Sequence, residues 1–310
     1  MPSNVLTLIL PNFDDILNNP INQFLMPYGL KTILRKSKYI INTDDYNANL
    51  MSLFAPESQS ESDFPMGFIR NSSNETICID PCHLHPDRDQ LRLFHRGLNV
   101  SMDEAKELVS AIQYLFIDIG ASVAIDTPNQ WSLKLKNRPK VSFTALNQID
   151  GGVITEALPR GTDDKIWIRL LNEIQMVLFE HPVNQQREAR GELPVNAVWF
   201  WGNGKMPEQW HQWPHVSGDD DLVHSLAIHS QSSYAHDVET YQQIDSKYAL
   251  HVLPFNPEAN LDLQLAILDE WWFKPVYLAL KRFRLSRLNL IVSGVGEYRL
   301  TPLSAWRFWR

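Results

Sequence analysis

The chain has 310 residues, 44% of them hydrophobic, enough for a sizeable core and, at about 100–200 residues per domain, for roughly two domains or one large one. A formal net charge of -8 argues against nucleic acid as a general partner, since neutralising phosphates requires a basic face. Cys78 and Cys82, the two cysteines, are too few and too close to staple a chain of this size, and they fit a reducing cytoplasm.

Along the chain, Val5 to Leu10 is a continuous apolar run ended by Pro11, the pattern of a strand buried on both faces. No basic segment precedes it, so no signal peptide is read. Ser58 to Asp63 (SQSESD) reads as a surface loop before strands predicted at Met66 to Arg70 and Thr76 to Asp80. The Asn-x-Ser/Thr triplets at Asn71, Asn74 and Asn99 carry little meaning in a cytoplasmic protein. Ser101 and Glu104 form a capping box, and apolar residues at helical spacing follow from Ala105 to Ile119, up to Gly120. Ala121 to Ile125 and Trp131 to Leu135 flank a Pro128-Asn129 turn as strands.

A helix beginning at Asp163 and Asp164 carries the stripe Trp167, Leu170, Leu171, Ile174 and Leu178 until Pro182 breaks it. Ala197 to Trp201 is a strand, and Leu222 to His229 a helix. Leu261 to Leu280 is a long helix kinked or interrupted at Pro275; Asp262, Asp269, Glu270 and Lys274 within it exclude a membrane span. A strand at Leu288 to Val292 and a hairpin-like tail ending Trp306-Arg307-Phe308-Trp309-Arg310 close the chain, and no internal repeat is present. Eight basic residues against Glu297 between Lys274 and Arg310 form either a solvated edge or a surface for an acidic protein partner.

Two clusters invite a metal reading. Cys78, Asp80, Cys82, His83 and His85 fall within eight residues, but an extended segment turns the histidines away from Cys78, Asp80 and Cys82. His211, His215, His224, His229 and His236, with Asp219 to Asp221 and Asp237, form a second cluster, but Trp210 to His215 reads as a loop and His224 and His229, five apart, diverge on a helix. We expect no metal and no cofactor. Nucleophile elbows, Walker loops and dinucleotide fingerprints are absent, and Gly202-Asn203-Gly204 after a strand is the nearest approach to an anion-binding loop. His181, Asn184, Arg187, Arg190 and Asn196 combine guanidinium and amide donors suited to a carboxylate or phosphate. The same residues can equally cap a helix end and a turn.

The run His181-Pro182-Val183-Asn184, then Arg187, Gly191, Pro194-Val195-Asn196 and Trp201-Gly202-x-Gly204 resembles a signature of the bacterial regulatory-protein family of RpfE type. Asp80-Pro81-x-His83-Leu84, Asp87-Arg88-Asp89-x-Leu91, the helix Arg169 to Met176 and the C-terminal RFWR extend the resemblance from about Cys78 onward. More distantly, the His-Pro-Val-Asn-x-x-Arg segment is similar to one in the archaeal-type, cofactor-independent phosphoglycerate mutases of the alkaline phosphatase superfamily. That resemblance implies an α/β core with an inserted lobe and, in an active member, two divalent metals and a phosphorylated serine. Here the first strand runs into Asn12-Phe13-Asp14-Asp15 instead of the family's Asp-Gly, and the last strand runs into Ser293-Gly294 instead of Asp-His.

The combined expectation is an α/β protein whose core, residues 1–65 and 195–310, is formed by both chain ends, with an inserted smaller α+β lobe at 66–194. We expect a cytoplasmic, mutase-like regulatory or ligand-binding protein that lacks the two-metal centre. It would hold a phosphorylated or carboxylated metabolite through His181, Asn184, Arg187, Arg190 and Asn196, with neither nucleic acid nor membrane as partner. The rival expectations are a divergent metal-dependent mutase or phosphatase using Asp14, Asp15 and the His211 to Asp237 region, and an interaction module using exposed tryptophans and the basic C-terminus.

Overall fold

The computed structural model describes residues 4–18, 25–42, 44–56, 63–256 and 259–307, without the side chains of Asp15, Asn18 and Asn147. The fold is mixed α/β and divides into two compact units, Met1–Ser58 with Pro207–Arg310, and Gln59–Met206. We call the first the split unit and the second the continuous unit.

Among the described residues, the split unit holds a seven-stranded sheet in the order Tyr234–Ala235, Val216–Ser217, Tyr248–Val252, Val5–Leu10, Arg287–Val292, Gly296–Leu300, Lys38–Ile41. The first five run parallel, and the last two are added antiparallel. Val5–Leu10 lies between two parallel neighbours with Leu6 to Leu10 buried, which explains its unbroken apolar sequence. Its leucines pack with Phe13, Leu30, Trp272, Phe273, Val276, Leu288 and Leu290 in one core.

The long C-terminal helix comes in three joined pieces, α-helical over Leu261–Leu268, π-helical over Asp269–Phe273 and α-helical again over Lys274–Lys281. Pro275 has no N–H and its ring crowds the preceding turn, so the ladder widens ahead of it instead of breaking. The widened turn buries Asp269, whose carboxylate accepts the backbone N–H of Leu30 at 3.1 Å. At the C-terminus the hairpin pairs Arg287–Val292 with Gly296–Leu300. A short helix Pro302–Ala305 follows, and the expected hairpin-like tail after it lies largely outside the described residues, which end at Arg307.

In the continuous unit the long strand Thr76–Asp87 is central. It pairs antiparallel with Gln130–Lys134 and Ala197–Trp201 through its first half and with Gln90–Phe94 through its second. Pro81 is tolerated because it falls between Cys78, where pairing with Gln130–Lys134 ends, and His83, where pairing with Gln90–Phe94 begins. Ala197–Trp201, which the boundary at residue 195 assigned to the core, therefore belongs to this sheet. The capping box at Ser101 and Glu104 opens the helix Met102–Ile112, and the Pro128-Asn129 hairpin joins Ser122–Thr127 to Gln130–Lys134.

Met66–Asn71 is a helix, not the expected strand. Pro65 starts it, and Gly67 sits so close to the neighbouring strand that a Cβ there would lie 2.1 Å from the Thr76 carbonyl oxygen and 2.7 Å from Ile77 Cα. Both obstacles are backbone and cannot swing away. Gly67→Ala is expected to cost about 1–3 kcal/mol, the usual range for overpacking, and a melting temperature equal to that of the wild type would contradict the packing described.

Candidate functional site

The segment His181 to Asn196 closes on itself. His181 caps the helix Pro182–Ala189, its Nδ1 accepting the Val183 N–H at 3.3 Å, and Pro182 supplies the fixed φ of the first turn. The buried Asn184 amide donates to the carbonyls of Leu178 (2.7 Å) and Val195 (2.9 Å), and its oxygen accepts the Val195 N–H at 2.7 Å. Asn196 repeats the device on the next strand, accepting from Leu84 N at 2.7 Å and donating to Leu84 O at 2.9 Å. Gly191, at φ +75, makes the left-handed turn after the helix that lets the chain return.

Arg187 is the centre of this clasp and is 0% exposed on its side chain. Its Nε donates to Leu193 O at 2.8 Å, Nη1 to Glu104 Oε2 at 2.9 Å, and Nη2 to the Leu98 carbonyl. The exposed Arg190 donates to the other Glu104 oxygen at 2.5 Å and to Glu192 at 2.7 Å. Glu104 thus serves its capping box and both arginines. Burial disfavours its charge, but the Ser101 N–H, Arg190 and Arg187 outweigh burial and hold its carboxyl below the ordinary range. The structure brings the five residues expected to bind a ligand into one region. It spends their polar groups on Glu104, Glu192 and the backbone, and Arg187 presents no surface to solvent.

The Cys78 to His85 cluster is likewise committed to folding. Asp80, 1% exposed, accepts two bonds from Arg70 Nη1 (2.8 and 2.9 Å), one from Trp131 N (2.9 Å) and one from the Trp201 indole (2.8 Å). Burial raises the pKa of both thiols, so neither is a ready thiolate ligand. His83 turns to the Pro194 carbonyl at 2.9 Å.

Candidate histidines of the split unit pack against aromatic rings, and His224 and His236 lie together with ring centroids 5.4 Å apart. His224 and His236 pack against Tyr234 at 4.6 and 4.8 Å between ring centroids, His211 meets Trp213 at 5.1 Å, and His229 stacks on Trp210 at 6.1 Å. Among the described residues no three His, Cys, Asp or Glu side chains are grouped to hold a metal ion. The ends of the first and last parallel strands do converge, but on Asp14, Ser293 and Gly294, with Gly294 packed against Asp14. The side chain of Asp15 lies outside the described residues. Among the described residues, Asp14 with Ser293 and Gly294 does not fit a two-metal centre, which needs several carboxylates and imidazoles converging.

One recess that no motif announces lies in the continuous unit. Asp63, Arg138, Lys140, Arg160, Asn203 and Lys205 line an open cavity of about 460 Å³. Arg138 is oriented by Nε donating to Asn203 Oδ1 at 3.0 Å and by Nη2 donating to the carbonyls of Asn203 and Gly204. Asp63 accepts the N–H groups of Gly202 (3.0 Å) and Asn203 (2.7 Å), so the Gly-Asn-Gly loop cradles a carboxylate of its own chain. Burial pushes the Asp63 carboxyl up to about 7 despite those bonds and Arg138. The sequence signal was the density of charge in Arg138-Pro139-Lys140, visible only once the Gly202 loop is brought alongside it.

No family model matches the chain. Over 148 residues it is 30% identical to a probable 2,3-bisphosphoglycerate-independent phosphoglycerate mutase of Geobacter sulfurreducens, covering 46% of this chain and 36% of that protein. Over 118 residues it is 29% identical to such a mutase of Methanosarcina mazei, covering 36% and 28%, and over 64 residues 41% identical to one of Methanothrix thermoacetophila, covering 21% and 16%. The matches thus span about a third or less of these curated relatives. Among solved structures, a cofactor-independent phosphoglycerate mutase of Thermoplasma acidophilum aligns with 99% of this chain and 96% of its own, at a TM-score of 0.46 and 14% identity. The sequence matches show distant homology to the cofactor-independent phosphoglycerate mutases. Among the described residues no helix is long and apolar enough to cross a membrane.

The clasp makes a prediction about stability. Arg187→Met leaves Glu104 and two carbonyls without their buried donor and is expected to cost about 3–5 kcal/mol in urea unfolding. Arg190→Ala, at an exposed pair, is expected to change the midpoint little. Equal effects of the two substitutions would refute the role assigned to Arg187.

Proposed function

We propose that this chain is a phosphoglycerate-mutase-like protein that binds a phosphorylated or carboxylated metabolite without transferring a phosphoryl group through two metals. The observation that carries this reading is the basic recess: four cationic side chains, Arg138, Lys140, Arg160 and Lys205, line one cavity with a single carboxylate. Guanidinium groups fit carboxylate and phosphate oxygens in pairs, and the lysines add mobile point charges. Homology to mutases supports the ligand class, and the residues at the strand ends support the loss of the metal chemistry. A regulatory role, as the RpfE-type resemblance implies, belongs to the same proposal.

Calorimetry tests this with 3-phosphoglycerate and with sulfate, an anion whose charge is constant across the neutral range. Both are expected to bind, and the Arg138→Ala, Arg160→Ala double variant to weaken them by about tenfold or more. Absence of binding by the wild type, or mutase turnover in the presence of manganese, would overturn the reading.

The recess also predicts a pH dependence. Asp63 has a folded-state pKa raised to about 7, so it is neutral below that pH and adds a negative charge to the recess above it. Sulfate affinity is therefore expected to fall as pH rises through about 7, and the fall is expected to be lost in Asp63→Asn. For stability the sign is the same: the raised pKa makes a contribution complete below the unfolded-state value of about 3.9 and lost as pH rises through about 7.

A further inference from the structure

A second cavity, of about 360 Å³, lies wholly in the split unit. Gly218 and Asp219 follow the strand Val216–Ser217, and His236 to Glu239 follow Tyr234–Ala235. These are the carboxyl ends of parallel strands, where open α/β sheets place their ligands. Opposite them stand Ile267, Leu268, Trp271 and Trp272. Three carboxylates, Asp219, Asp237 and Glu239, line the cavity and, among the described residues, no lysine or arginine does, so its chemistry is the reverse of the basic recess. Tyr234, Trp271 and Trp272 supply aromatic surface, with Trp271 41% exposed at the wall.

The independent indication of a ligand is His251. It is 1% exposed, lines this cavity, and stacks on Trp272 with ring centroids 3.9 Å apart and planes 16° from parallel. Nδ1 lies 2.9 Å from Ser217 Oγ, which in turn lies 3.2 Å from His215 Nε2. Nε2 has no hydrogen-bond partner among the described residues. A buried ring nitrogen without a partner is costly, and the cavity that His251 lines has room for a ligand or water to supply one. Burial, and secondarily His215, push the His251 pKa down to about 3, so the ring is neutral. The distances admit two hydrogen-bond chains; in one, His251 Nδ1–H donates to Ser217 and the Ser217 hydroxyl donates to His215 Nε2. That arrangement leaves a lone pair on His251 Nε2.

We propose that this cavity binds a small protonated aliphatic amine, whose ammonium donates an N–H to His251 Nε2 while Asp219, Asp237 and Glu239 balance its charge. The tryptophan and tyrosine faces add cation–π attraction and cover the alkyl part. Of the ligands that fit such walls, an anion is repelled by the three carboxylates, and a neutral apolar molecule leaves both them and His251 unanswered.

Titration calorimetry on the full chain tests the proposal with three probes: 1,4-diaminobutane, tetramethylammonium and succinate. The diamine is expected to bind with one site per chain and succinate not to bind. Tetramethylammonium, which keeps the charge but has no N–H, is expected to bind about tenfold more weakly or worse. The Asp237→Asn, Glu239→Gln double variant alters half-buried or exposed side chains and is expected to fold normally, by its melting curve, and to weaken the diamine by about tenfold. Absence of diamine binding, preference for succinate, equal binding of tetramethylammonium, or indifference to the double variant would each overturn the proposal. Retained sulfate binding in the same preparation shows that such a failure belongs to this cavity and not to the basic recess.

Discussion

The continuous unit is organised around one buried carboxylate. Asp80 cannot remain charged inside a protein unless its oxygens are met, because an unpaired ion loses far more hydration than packing returns. Four donor contacts meet it, and they come from the helix Met66–Asn71, the strand Gln130–Lys134 and the strand Ala197–Trp201. Arg70 also stacks over Trp201, with its guanidinium 5.2 Å from the ring centroid. The elements that surround Thr76–Asp87 are thus held in register by the need to neutralise a single residue. The arrangement explains why the helix is helical: Arg70 must project from its last turn to reach Asp80.

Local signals were legible wherever the sequence encodes its own partner within a few residues. The capping box at Ser101, the Pro128-Asn129 turn and the apolar run Val5 to Leu10 each name a short-range cause, and each appears in the structure. Met66 to Arg70 failed for the complementary reason. Four apolar or small residues followed by Arg70 carry no periodicity that separates strand from helix, and the partners in the deciding contacts, Thr76 for Gly67 and Asp80 for Arg70, lie outside the window. The candidate site shows the same division. That His181 to Asn196 concentrates arginine and amide groups could be read directly; that Arg187 is answered by Glu104 and Leu98, 83 and 89 residues away, could not.

This changes what the family-like motif signifies. Its histidine, asparagines and arginine cap a helix, mimic strand pairing and neutralise Glu104, all of them structural tasks. Such residues preserve a fold irrespective of what chemistry the fold performs, whereas function resides in groups placed at sites upon it. Likeness in the motif is therefore evidence of descent, and the homology to mutases needs no shared reaction to account for it.

Reaction chemistry has to be judged at the carboxyl ends of the parallel strands. Two-metal phosphoryl transfer demands a high local density of negative and neutral ligands that converge on points a few ångströms apart. At the central pair of strands the chain offers Asp14 with Ser293 and Gly294, and one strand further out it offers the neutral, desolvated His251 bonded to Ser217. In the proposed amine site such groups serve recognition: a neutral ring nitrogen, a stacked aromatic wall and carboxylates at the rim. Under the proposals made above, the same edge of the sheet that supports catalysis with other residues holds a ligand unchanged in this chain.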